Sequence, residues 1–367
     1  MPDDARFMAL ALSLGRRGQG AVWPNPAVGC VIVQQGRIVG RGWTQPGGRP
    51  HAEPQALRQA GSAAQGATVY VTLEPCAHTG KTPPCADALV AAKPARVVIA
   101  CTDSDPRVSG KGIAILRAAG IIVDVGVLED EARADHLGFF LRVDEGRPMV
   151  TLKLANSFDG RIATASGESQ WITAPPARRV VHAMRSRHDA VMVGGGTARQ
   201  DDPSLTVRDL GTTRQPTRIA VSNGLDIPLN GTLARTANDI PLILCHGPKA
   251  PAELIETWES LGATLISCAP KMGQIDADDM LQQLGRHGLT RIFCEGGGGL
   301  AATLLKADLV DQLVGFTAGL ALGADGLPAI APLQLPRLAQ APRFTLTETS
   351  RIGPDLIHIW HRANTPA

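Results

Sequence analysis

Short β-rich runs alternate with amphipathic helical runs twice along the 367-residue chain, and this repetition leaves few folds open. In the first half, VGCVIV, TVYVTL and ARVVIAC are separated by helical patterns. The pattern starts again at RPMVTLKLANS, after a break near residues 145–148. Strands that alternate with helices predict sheets covered on both faces. Since a domain usually has roughly 100–200 residues, we predict two α/β domains, 1–146 and 147–367.

The composition is that of a globular protein, with 44% apolar and 19% charged residues. The net charge is +2 and aromatic residues make up only 4%, which argues against a nucleic-acid partner. Two acids open the apolar first segment and its arginines come last, the wrong order for a secretory signal. No run of about 18 apolar residues predicts a membrane span. Seven scattered cysteines, an odd number, suit a reducing cytoplasm better than a disulfide framework.

One histidine and two cysteines of the first half have the character of zinc ligands. His51 opens a predicted helix, Cys76 follows a predicted strand, and Cys85 opens the next helix. A neutral imidazole and two thiolates suit zinc, and three protein ligands leave a fourth position for water, as in catalytic sites. Glu53 lies two residues after His51, where its carboxylate can carry protons between the water and a leaving amine. These residues match the zinc-deaminase signature H-x-E … P-C-x-x-C, except that eight residues separate the cysteines.

Two other interpretations of these residues remain open. His51 can be a helix-capping or core histidine, with Cys76 and Cys85 as buried apolar groups. A structural zinc site would instead need a fourth protein ligand, for which Cys30 and Cys101 are the candidates. That interpretation leaves Glu53 without a role.

The second half contains two glycine-rich loops at the ends of predicted strands. The loop in CEGGGGLAATLL opens a helix, an arrangement that lets backbone approach a phosphate closely. This signal is weak, because no ribose-binding acid follows at the spacing of a Rossmann unit. A glycine-rich turn needed for tight packing is the alternative. The other loop, residues 194–208, holds the adjacent acids Asp201 and Asp202. Pro and Gly are frequent in residues 203–231, which we interpret as a loop-rich insertion within the second domain.

The string PCAHTGKTPPC, with PNPAVGCVIV upstream, resembles the deaminase half of the bifunctional riboflavin-biosynthesis deaminase–reductases. The resemblance implies a cytidine-deaminase-like α/β/α sandwich in which zinc is bound by His51, Cys76 and Cys85 and protons are moved by Glu53. It also implies contacts to the pyrimidine or its ribose phosphate from Asn25, His78, Lys81 and Asp103. Where this family reads roughly D-P-N-P, the chain has DSDP, and no role passes to Asp105.

Five segments of the second half resemble the reductase half of the same family, in order, beginning with LKLANSFDGRIA and ending with EGGGGLAATLL. The resemblance implies a dihydrofolate-reductase-like α/β domain that uses NADPH to reduce an opened ribosyl group to a ribityl chain. The implied cofactor contacts are Ala155, Trp171, Thr197, Asp201, Gly297, Gly298 and Gly299. The implied substrate contacts are Ser169, Arg185, Leu205, Arg208 and Glu295. Lys153 is the candidate to polarise or protonate the reacting nitrogen, and Arg199 the candidate to meet the cofactor's 2′-phosphate. Residues 221–223 read VSN where the family tends to have an Asp-Ser pair.

The resemblance, which extends over residues 3–362, implies an enzyme with two activities, zinc-dependent deamination of a diaminopyrimidinone ribosyl phosphate and NADPH-dependent reduction of the product. It also implies a homodimer or tetramer in the cytoplasm. A nucleobase or nucleoside deaminase with a regulatory domain is an alternative, which fails if NADPH binds. A zinc-stabilised nucleic-acid-binding module is a second alternative, which predicts a fourth protein ligand and a basic patch.

Overall fold

The computed structural model describes residues 2–79, 83–212 and 214–363. The described residues group into two compact units, and the division falls between Gly146 and Arg147. Within these ranges, no helix is long and apolar enough to cross a membrane. All seven cysteines are free thiols.

The first unit is a five-stranded sheet with five α-helices. In chain order, these elements are α1 Pro2–Gly15, β1 Gly29–Gln34, β2 Arg37–Trp43, α2 Ala52–Ala60, β3 Thr68–Val71, α3 Cys85–Ala92, β4 Arg96–Ile99, α4 Lys111–Ala118, β5 Ile122–Val125 and α5 Glu129–Asp144. The sheet order is β2-β1-β3-β4-β5. β1 pairs antiparallel with β2 and β3, and the β3–β4 and β4–β5 pairs are parallel.

Glycines in β1 and β2 allow two helices to pack directly on the sheet. A Cβ atom on Gly29 would lie 1.9 Å from the Ala11 carbonyl oxygen of α1. A Cβ on Gly42 would lie 2.1 Å from the Ala52 carbonyl oxygen of α2. Gly42 pairs with Cys30, the residue after Gly29, and successive residues of a strand face opposite sides. The two helices therefore cover opposite faces of the sheet, and the first turn of α2 is held against β2.

The second unit has a large sheet flanked by helices and two small two-stranded sheets. Its elements are β6 Met149–Ser157, β7 Arg161–Ala163, α6 Pro175–Ser186, β8 Ala190–Gly194, α7 Gly195–Asp201, β9 Thr217–Val221, α8 Thr232–Arg235, β10 Leu242–His246, α9 Ala252–Ser260, β11 Thr264–Ser267, β12 Pro270–Lys271, β13 Gln274–Ile275, α10 Ala277–Arg286, β14 Arg291–Gly296, α11 Gly298–Lys306, β15 Gln312–Ala318, β16 Leu327–Pro328, β17 Phe344–Ile352 and β18 Asp355–Arg362.

The large sheet has nine strands in the order β11-β10-β9-β8-β14-β6-β15-β18-β17. The neighbouring pairs from β11 to β15 are parallel, and the last two pairs are antiparallel. The carboxyl ends of parallel strands meet at one edge of a sheet, where ligands bind in α/β folds. This edge collects the residues that follow β8, β9 and β14.

The interpretation of residues 203–231 as an inserted loop region is wrong. Strand β9 lies within this segment and pairs with both β8 and β10, so it belongs to the interior of the sheet. The Arg218 side chain of β9 is fully buried. Its guanidinium group donates hydrogen bonds to the backbone oxygens of Thr236 and Ile240, which fastens the segment after α8 to the strand. High Pro and Gly content marked the connections on either side of β9 and not an insertion.

Two candidate active sites

The first site is a group of three side chains in the first unit whose ligand atoms all lie within 4.8 Å of one another. His51 precedes α2, Cys76 follows β3, and Cys85 is the first residue of α3. The His51 Nδ1 atom lies 3.3 Å from the Cys85 Sγ atom and 3.7 Å from the Cys76 Sγ atom. Tetrahedral zinc with Zn–N and Zn–S bonds of about 2.1 and 2.3 Å separates such atoms by roughly 3.6 Å. Both the donor set and its spacing therefore fit zinc.

Hydrogen bonds within this group favour the thiolate form of Cys76. The Cys85 side chain and His51 lower the pKa of Cys76 to about 4. The backbone N–H of Cys85 also donates to the Cys76 Sγ atom, at 3.3 Å. The same interaction with Cys76, together with burial, raises the pKa of Cys85. A thiolate is the form that binds a metal ion, and a bound cation would favour ionisation of the second thiol as well.

Glu53 lies in the first turn of α2, with only 3% of its surface exposed. Its carboxyl group is within hydrogen-bonding reach of the Cys85 thiol. Burial, followed by the charge of Cys76, raises the pKa of Glu53 to about 7. Glu53 is not a member of the ligand group. The structure thus brings together all four residues predicted for this centre, with the carboxyl group beside the ligands.

Cys30 and Cys101, the candidates for a fourth protein ligand, are both fully buried. Within the part of the chain that the structure describes, neither belongs to the ligand group. The Cys101 thiol instead donates to the backbone oxygen of Thr72, at 3.4 Å. The described residues therefore give a three-ligand site, which is the catalytic pattern, and do not support a structural zinc site.

The predicted substrate contacts of the first unit lie on the loops around this centre. Asn25 packs against Gly48, which lies on the loop that leads to His51. A Cβ atom on Gly48 would lie 1.9 Å from the Asn25 Nδ2 atom. The His78 Nδ1 atom is buried and has no hydrogen-bond partner among the described residues, so it is available to a ligand. Asp103 is buried, which raises its pKa to about 6. Lys81 lies outside the described residues.

Glu74 is a buried residue of this site that was not predicted from the sequence. Its carboxylate accepts hydrogen bonds from the backbone N–H groups of Gly110, Ile113 and Asp103, at 3.0, 3.2 and 3.4 Å. It thereby fastens the loop that carries Asp103 to the segment that carries Cys76. One feature of the sequence could have predicted this role. Glu74 is a carboxylate that directly precedes Pro75 and Cys76, after a strand pattern that is apolar throughout.

The second site is a cavity of about 1850 Å³ in the second unit, at the carboxyl ends of the parallel strands. Every site residue predicted for this half lines it. The cofactor set is Ala155, Trp171, Thr197, Asp201 and the glycines 297–299. The remaining residues are Lys153, Ser169, Arg185, Leu205, Arg208 and Glu295. These positions come from β6, α6, α7, β14, α11 and the loops between them, so the sheet order gathers side chains that are far apart in the chain.

Glu295 and Arg185 form a bidentate ion pair in the wall of this cavity. The Arg185 Nε and Nη2 atoms donate to the two oxygens of Glu295, the latter at 2.9 Å, and Nη1 donates to the backbone oxygen of Thr206 at 2.7 Å. Burial lowers the pKa of Lys153. The nearby charge of Glu295 opposes this shift, and the charge of Arg185 adds to it. The Arg185 guanidinium is thus engaged within the protein, whereas Arg208 is exposed.

The glycine-rich loop before α11 provides space that a dinucleotide phosphate can use. Gly296 and Gly297 have φ angles of +87° and +88°, which side-chain-bearing residues rarely adopt. A Cβ atom on Gly297 would lie 2.8 Å from the Thr197 Oγ1 atom, and one on Gly299 would meet nothing within 4 Å. The first N–H groups of a helix have no intrahelical partners and attract anions. The cavity and this loop therefore fit a nicotinamide dinucleotide.

The two adjacent acids at the carboxyl end of α7 have different surroundings. Asp202 accepts hydrogen bonds from the backbone N–H and the hydroxyl group of Thr232, and so caps α8. Asp201 lines the cavity, and partial burial raises its pKa. Trp171 is 67% exposed, and the Arg178 guanidinium carbon lies 4.4 Å from its ring centroid.

Two family models match the chain, one in each half. The cytidine and deoxycytidylate deaminase zinc-binding region matches residues 1–101, and the RibD C-terminal domain matches residues 148–358. The first unit therefore has the cytidine-deaminase-like fold, and the second has the dihydrofolate-reductase-like fold of that domain. Together with the two sites, these matches define a zinc-dependent deaminase joined to an NADPH-dependent reductase.

Relatives that match over the full length identify the family. The riboflavin biosynthesis protein RibD of Escherichia coli K12 is 42% identical over 360 residues, which cover 96% of this chain and 98% of the relative. RibD of Aquifex aeolicus is 39% identical, with 98% of both chains covered. The Acinetobacter baumannii RibD structure, form 1, has a TM-score of 0.87 at 37% identity and covers 98% of this chain and 99% of its own. The chain belongs to the RibD family of bifunctional riboflavin-biosynthesis deaminase–reductases.

Proposed function

We propose that the first unit hydrolytically removes an amino group from a diaminopyrimidine ribosyl phosphate and that the second unit reduces the ribosyl group of the product. A solved structure from Thermotoga maritima is described as a diaminohydroxyphosphoribosylaminopyrimidine deaminase and 5-amino-6-(5-phosphoribosylamino)uracil reductase. It has a TM-score of 0.85 at 31% identity and covers 98% of this chain. The observation that carries the proposal is the His51, Cys76 and Cys85 group with the Glu53 carboxyl group buried beside it.

In the proposed first reaction, His51, Cys76 and Cys85 hold zinc. Bound zinc supplies a hydroxide near neutral pH, because it lowers the pKa of its water to about 7. Glu53 moves a proton from the attacking water to the amino group, which leaves as ammonia while the ring carbon becomes a carbonyl. Asn25, His78, Lys81 and Asp103 bind the pyrimidine or its ribose phosphate. The His78 Nδ1 atom is buried without a partner in the described part of the chain, which supports this assignment, since a buried polar group needs a partner.

In the proposed second reaction, the substrate's ribosyl group opens and its first carbon accepts a hydride. Bound NADPH supplies that hydride. Lys153 protonates or polarises the adjacent nitrogen. A lowered pKa suits an ammonium group for proton donation. Glu295 holds Arg185 and counters the charge of Lys153. Ser169, Leu205 and Arg208 complete the substrate contacts, and the exposed Arg208 can bind the phosphate.

The glycine loop before α11 is proposed to bind the phosphates of the dinucleotide in the same cavity. The proposed NADPH contacts are Ala155, Trp171, Thr197, Asp201 and the glycines 297–299, all of which line the cavity. The open space at Gly299 supports close approach of backbone to phosphate.

The proposal assigns deamination to residues 1–146 and reduction to 147–367, and the division between Gly146 and Arg147 supports this boundary. It also includes a cytoplasmic homo-oligomer, either a dimer or a tetramer. The seven free thiols fit a reducing compartment. Light scattering coupled to size-exclusion chromatography measures the oligomeric state.

A mass-spectrometric product assay tests both reactions. Purified, zinc-loaded protein is given the diaminopyrimidine ribosylamino phosphate, with and without NADPH. Without NADPH, we expect the mass change of an amino group replaced by a carbonyl oxygen. With NADPH, we expect the further gain of two hydrogens. If only the first change occurs, the reductase assignment fails, and a deaminase with a regulatory domain becomes the better hypothesis. If neither change occurs, the assigned substrate is wrong.

The substitution Glu53→Gln tests the proton-transfer role separately from metal binding. We expect deamination to slow by about 10²–10⁴-fold, the usual contribution of a positioned acid–base group, with zinc content unchanged. The control is Glu129→Gln, which changes a half-exposed carboxylate at the start of α5. Full deaminase activity in the zinc-loaded Glu53 variant would remove the proton-transfer role.

A further inference from the structure

His182 lines the reductase cavity, although no role was predicted for it from the sequence. It lies on α6, three residues before Arg185, so both side chains are on one face of the helix. The His182 Nδ1 atom lies 3.1 Å from the backbone oxygen of Thr206, and the backbone N–H of Arg208 donates to the same Nδ1 atom at 3.3 Å. The Arg185 Nη1 atom donates to the Thr206 oxygen at 2.7 Å. Side chains of α6 therefore hold the backbone on both sides of Val207.

The segment that these hydrogen bonds fasten, residues 204–208, belongs to no helix or strand. Gln215 also holds it, since its side-chain amide accepts from the Val207 N–H at 2.7 Å and donates to the Val207 oxygen at 3.1 Å. Leu205 and Asp209 have φ angles of +54° and +62°, which side-chain-bearing residues rarely adopt. Such a backbone keeps its shape only where its surroundings fix it, so the loss of one fastening side chain can move the segment.

The Nδ1 atom of His182 cannot serve both backbone groups at once. A protonated Nδ1 atom donates to the Thr206 oxygen, whereas an unprotonated one accepts from the Arg208 N–H. The Thr206 oxygen already has Arg185 as a donor, but the Arg208 N–H has no other partner among the described residues. The tautomer with its proton on Nε2 therefore satisfies both groups. Burial, followed by the charges of Arg185 and Arg208, lowers the pKa of His182, so the ring is neutral near pH 7 and its Nδ1 atom can accept.

We propose that His182 is a positioning residue of the reductase, which holds Arg208 at the substrate phosphate through the unprotonated Nδ1 atom of its ring. The inference rests on the proposed function, in which Arg208 binds that phosphate. Arg208 is exposed, and an exposed side chain loses conformational freedom when it binds an anion. A backbone that is already fixed reduces this loss, so the phosphate binds more tightly. His182 takes no part in hydride or proton transfer, and its loss should therefore raise KM and leave kcat unchanged.

Two substitutions separate the roles of the two ring nitrogens. In His182→Asn, the short side chain places its amide where the Nδ1 atom was, so the amide oxygen can still accept from the Arg208 N–H. In His182→Gln, the longer side chain places its amide where the Nε2 atom was and leaves the Arg208 N–H without an acceptor. The asparagine variant therefore keeps the proposed positioning bond, and the glutamine variant loses it.

Steady-state kinetics of the full chain test the proposal, with the deaminated pyrimidine ribosyl phosphate as substrate and with its dephosphorylated form. For the phosphorylated substrate, we expect His182→Gln to raise KM about threefold to tenfold, the usual effect of losing one hydrogen bond, with kcat changed less than about twofold. We expect His182→Asn to change KM less than about twofold. For the dephosphorylated substrate, the unaltered protein and both variants should have the same KM, because no phosphate is there for Arg208 to bind.

Nitrogen-15 NMR of the full chain, labelled at its histidines, determines the tautomer directly. The signals that disappear in His182→Asn are those of this ring. We expect a proton on Nε2 and none on Nδ1. A proton on Nδ1 would mean that His182 donates to Thr206, and this result would overturn the proposal.

The control is His287→Gln, which makes the same chemical change at an exposed histidine just after α10. Deamination by each variant, measured in the same preparation, should stay unchanged. An unchanged KM in His182→Gln overturns the positioning role. A rise in KM that is as large in His182→Asn as in His182→Gln also overturns it, because the Nδ1 acceptor would then not be the group that matters.

Failure of the proposed function has a different signature, which Arg208→Met shows. We expect this variant to raise KM for the phosphorylated substrate about tenfold to hundredfold, the usual effect of losing a charged hydrogen bond. If KM stays unchanged, Arg208 does not bind the phosphate, and the inference falls with that part of the proposed function. If KM rises in Arg208→Met but not in His182→Gln, only the positioning role is wrong.

The double variant tests whether His182 acts through Arg208. When Arg208→Met is already present, His182→Gln should cause no further rise in KM, because the cation that it positions is gone. Effects of the two substitutions that multiply would show that His182 acts independently and would overturn the proposal. Circular dichroism of each variant confirms that it is folded before the assays.

Discussion

The two sites of this protein are assembled in different ways. The deaminase centre takes its three candidate metal ligands from residues 51–85, and their donor atoms lie within 4.8 Å of one another. The reductase cavity takes its lining from positions between Lys153 and Pro332 and encloses about 1850 Å³. A metal ion needs few donors at fixed distances, so a short buried motif can supply them all. A dinucleotide and its substrate need a long surface, which only the ends of several strands provide. Loss of one metal ligand should therefore abolish zinc binding and deaminase activity. Loss of one residue of the cavity should only reduce reductase activity or cofactor affinity.

Removal of one metal ligand is expected to have the largest effect. In Cys85→Ser, the hydroxyl group is a poor zinc ligand, so we expect loss of bound zinc and of all measurable deaminase activity. NADPH binding should stay unchanged, because the cavity lies within the second unit. Metal analysis by mass spectrometry and titration with NADPH measure the two sites separately. Cys101→Ser is the control, because this buried thiol is not a ligand and serine can keep its bond to the Thr72 oxygen. A Cys85 variant that retains one zinc per chain would contradict the three-ligand site.

The metal centre was predictable from sequence because its geometry is local. His51 and Glu53 are in one helical turn, and Cys76 and Cys85 flank one loop. The strand and helix patterns also predicted the main elements of both sheets. The pattern TRIAVS predicted strand β9 but not its place in the sheet, so residues 203–231 were wrongly interpreted as an insertion although β9 lies in the interior of the sheet. The Arg185–Glu295 pair joins residues 110 positions apart. Such a pair depends on the order of the strands in the sheet, which the local sequence pattern does not predict. Glu74 was missed for the same reason, because its partners lie beyond residue 100.

Substitution of Glu295 should show the graded behaviour of the second site. In Glu295→Gln, Arg185 loses a charged partner and Lys153 loses the group that favours its charged form. We expect the reductase rate to fall by about tenfold to hundredfold, the usual effect of losing charged hydrogen bonds, while deamination stays unchanged. Steady-state assays of each half-reaction provide the comparison. Glu348→Gln, on the exposed face of β17, is the control. An equal loss of both activities would indicate unfolding and contradict the assignment.

A substitution in the glycine loop should have a smaller effect on cofactor binding. In Gly297→Ala, the new Cβ atom would lie 2.8 Å from the Thr197 Oγ1 atom on a backbone with φ of +88°. Such strain costs about 1–3 kcal/mol, so we expect NADPH affinity to fall by about tenfold as the loop shifts. Fluorescence titration with NADPH measures this change. Gly319→Ala is the control, because Gly319 has a negative φ and open space around it. Unchanged NADPH affinity in the Gly297 variant would show that the phosphates do not rest on this loop.

The contribution of His188 to the stability of the second unit should depend on pH, and this is the smallest of the expected effects. The His188 Nδ1 atom hydrogen-bonds the Met184 backbone oxygen at 2.7 Å, and its Nε2 atom lies 3.0 Å from the Thr151 Oγ1 atom. It therefore joins α6 to β6, which carry Arg185 and Lys153. Burial lowers the pKa of His188 to about 3, so the folded protein keeps this imidazole neutral.

The sign of the effect follows from proton uptake by the unfolded chain. Below about pH 6.5 the unfolded chain binds a proton on this histidine and the folded chain does not, so stability falls with pH until about pH 3. Between pH 7 and pH 5, His188 should account for a loss of about 2 kcal/mol in the free energy of unfolding of the second unit. His188→Asn should be less stable at pH 7 but should lose correspondingly less on acidification. Urea-dependent hydrogen exchange of peptides from β6 and β14 measures this difference in the full chain. The other buried histidines titrate in both proteins, so their contribution cancels, and equal losses in the two proteins would mean that His188 does not remain neutral in the folded state.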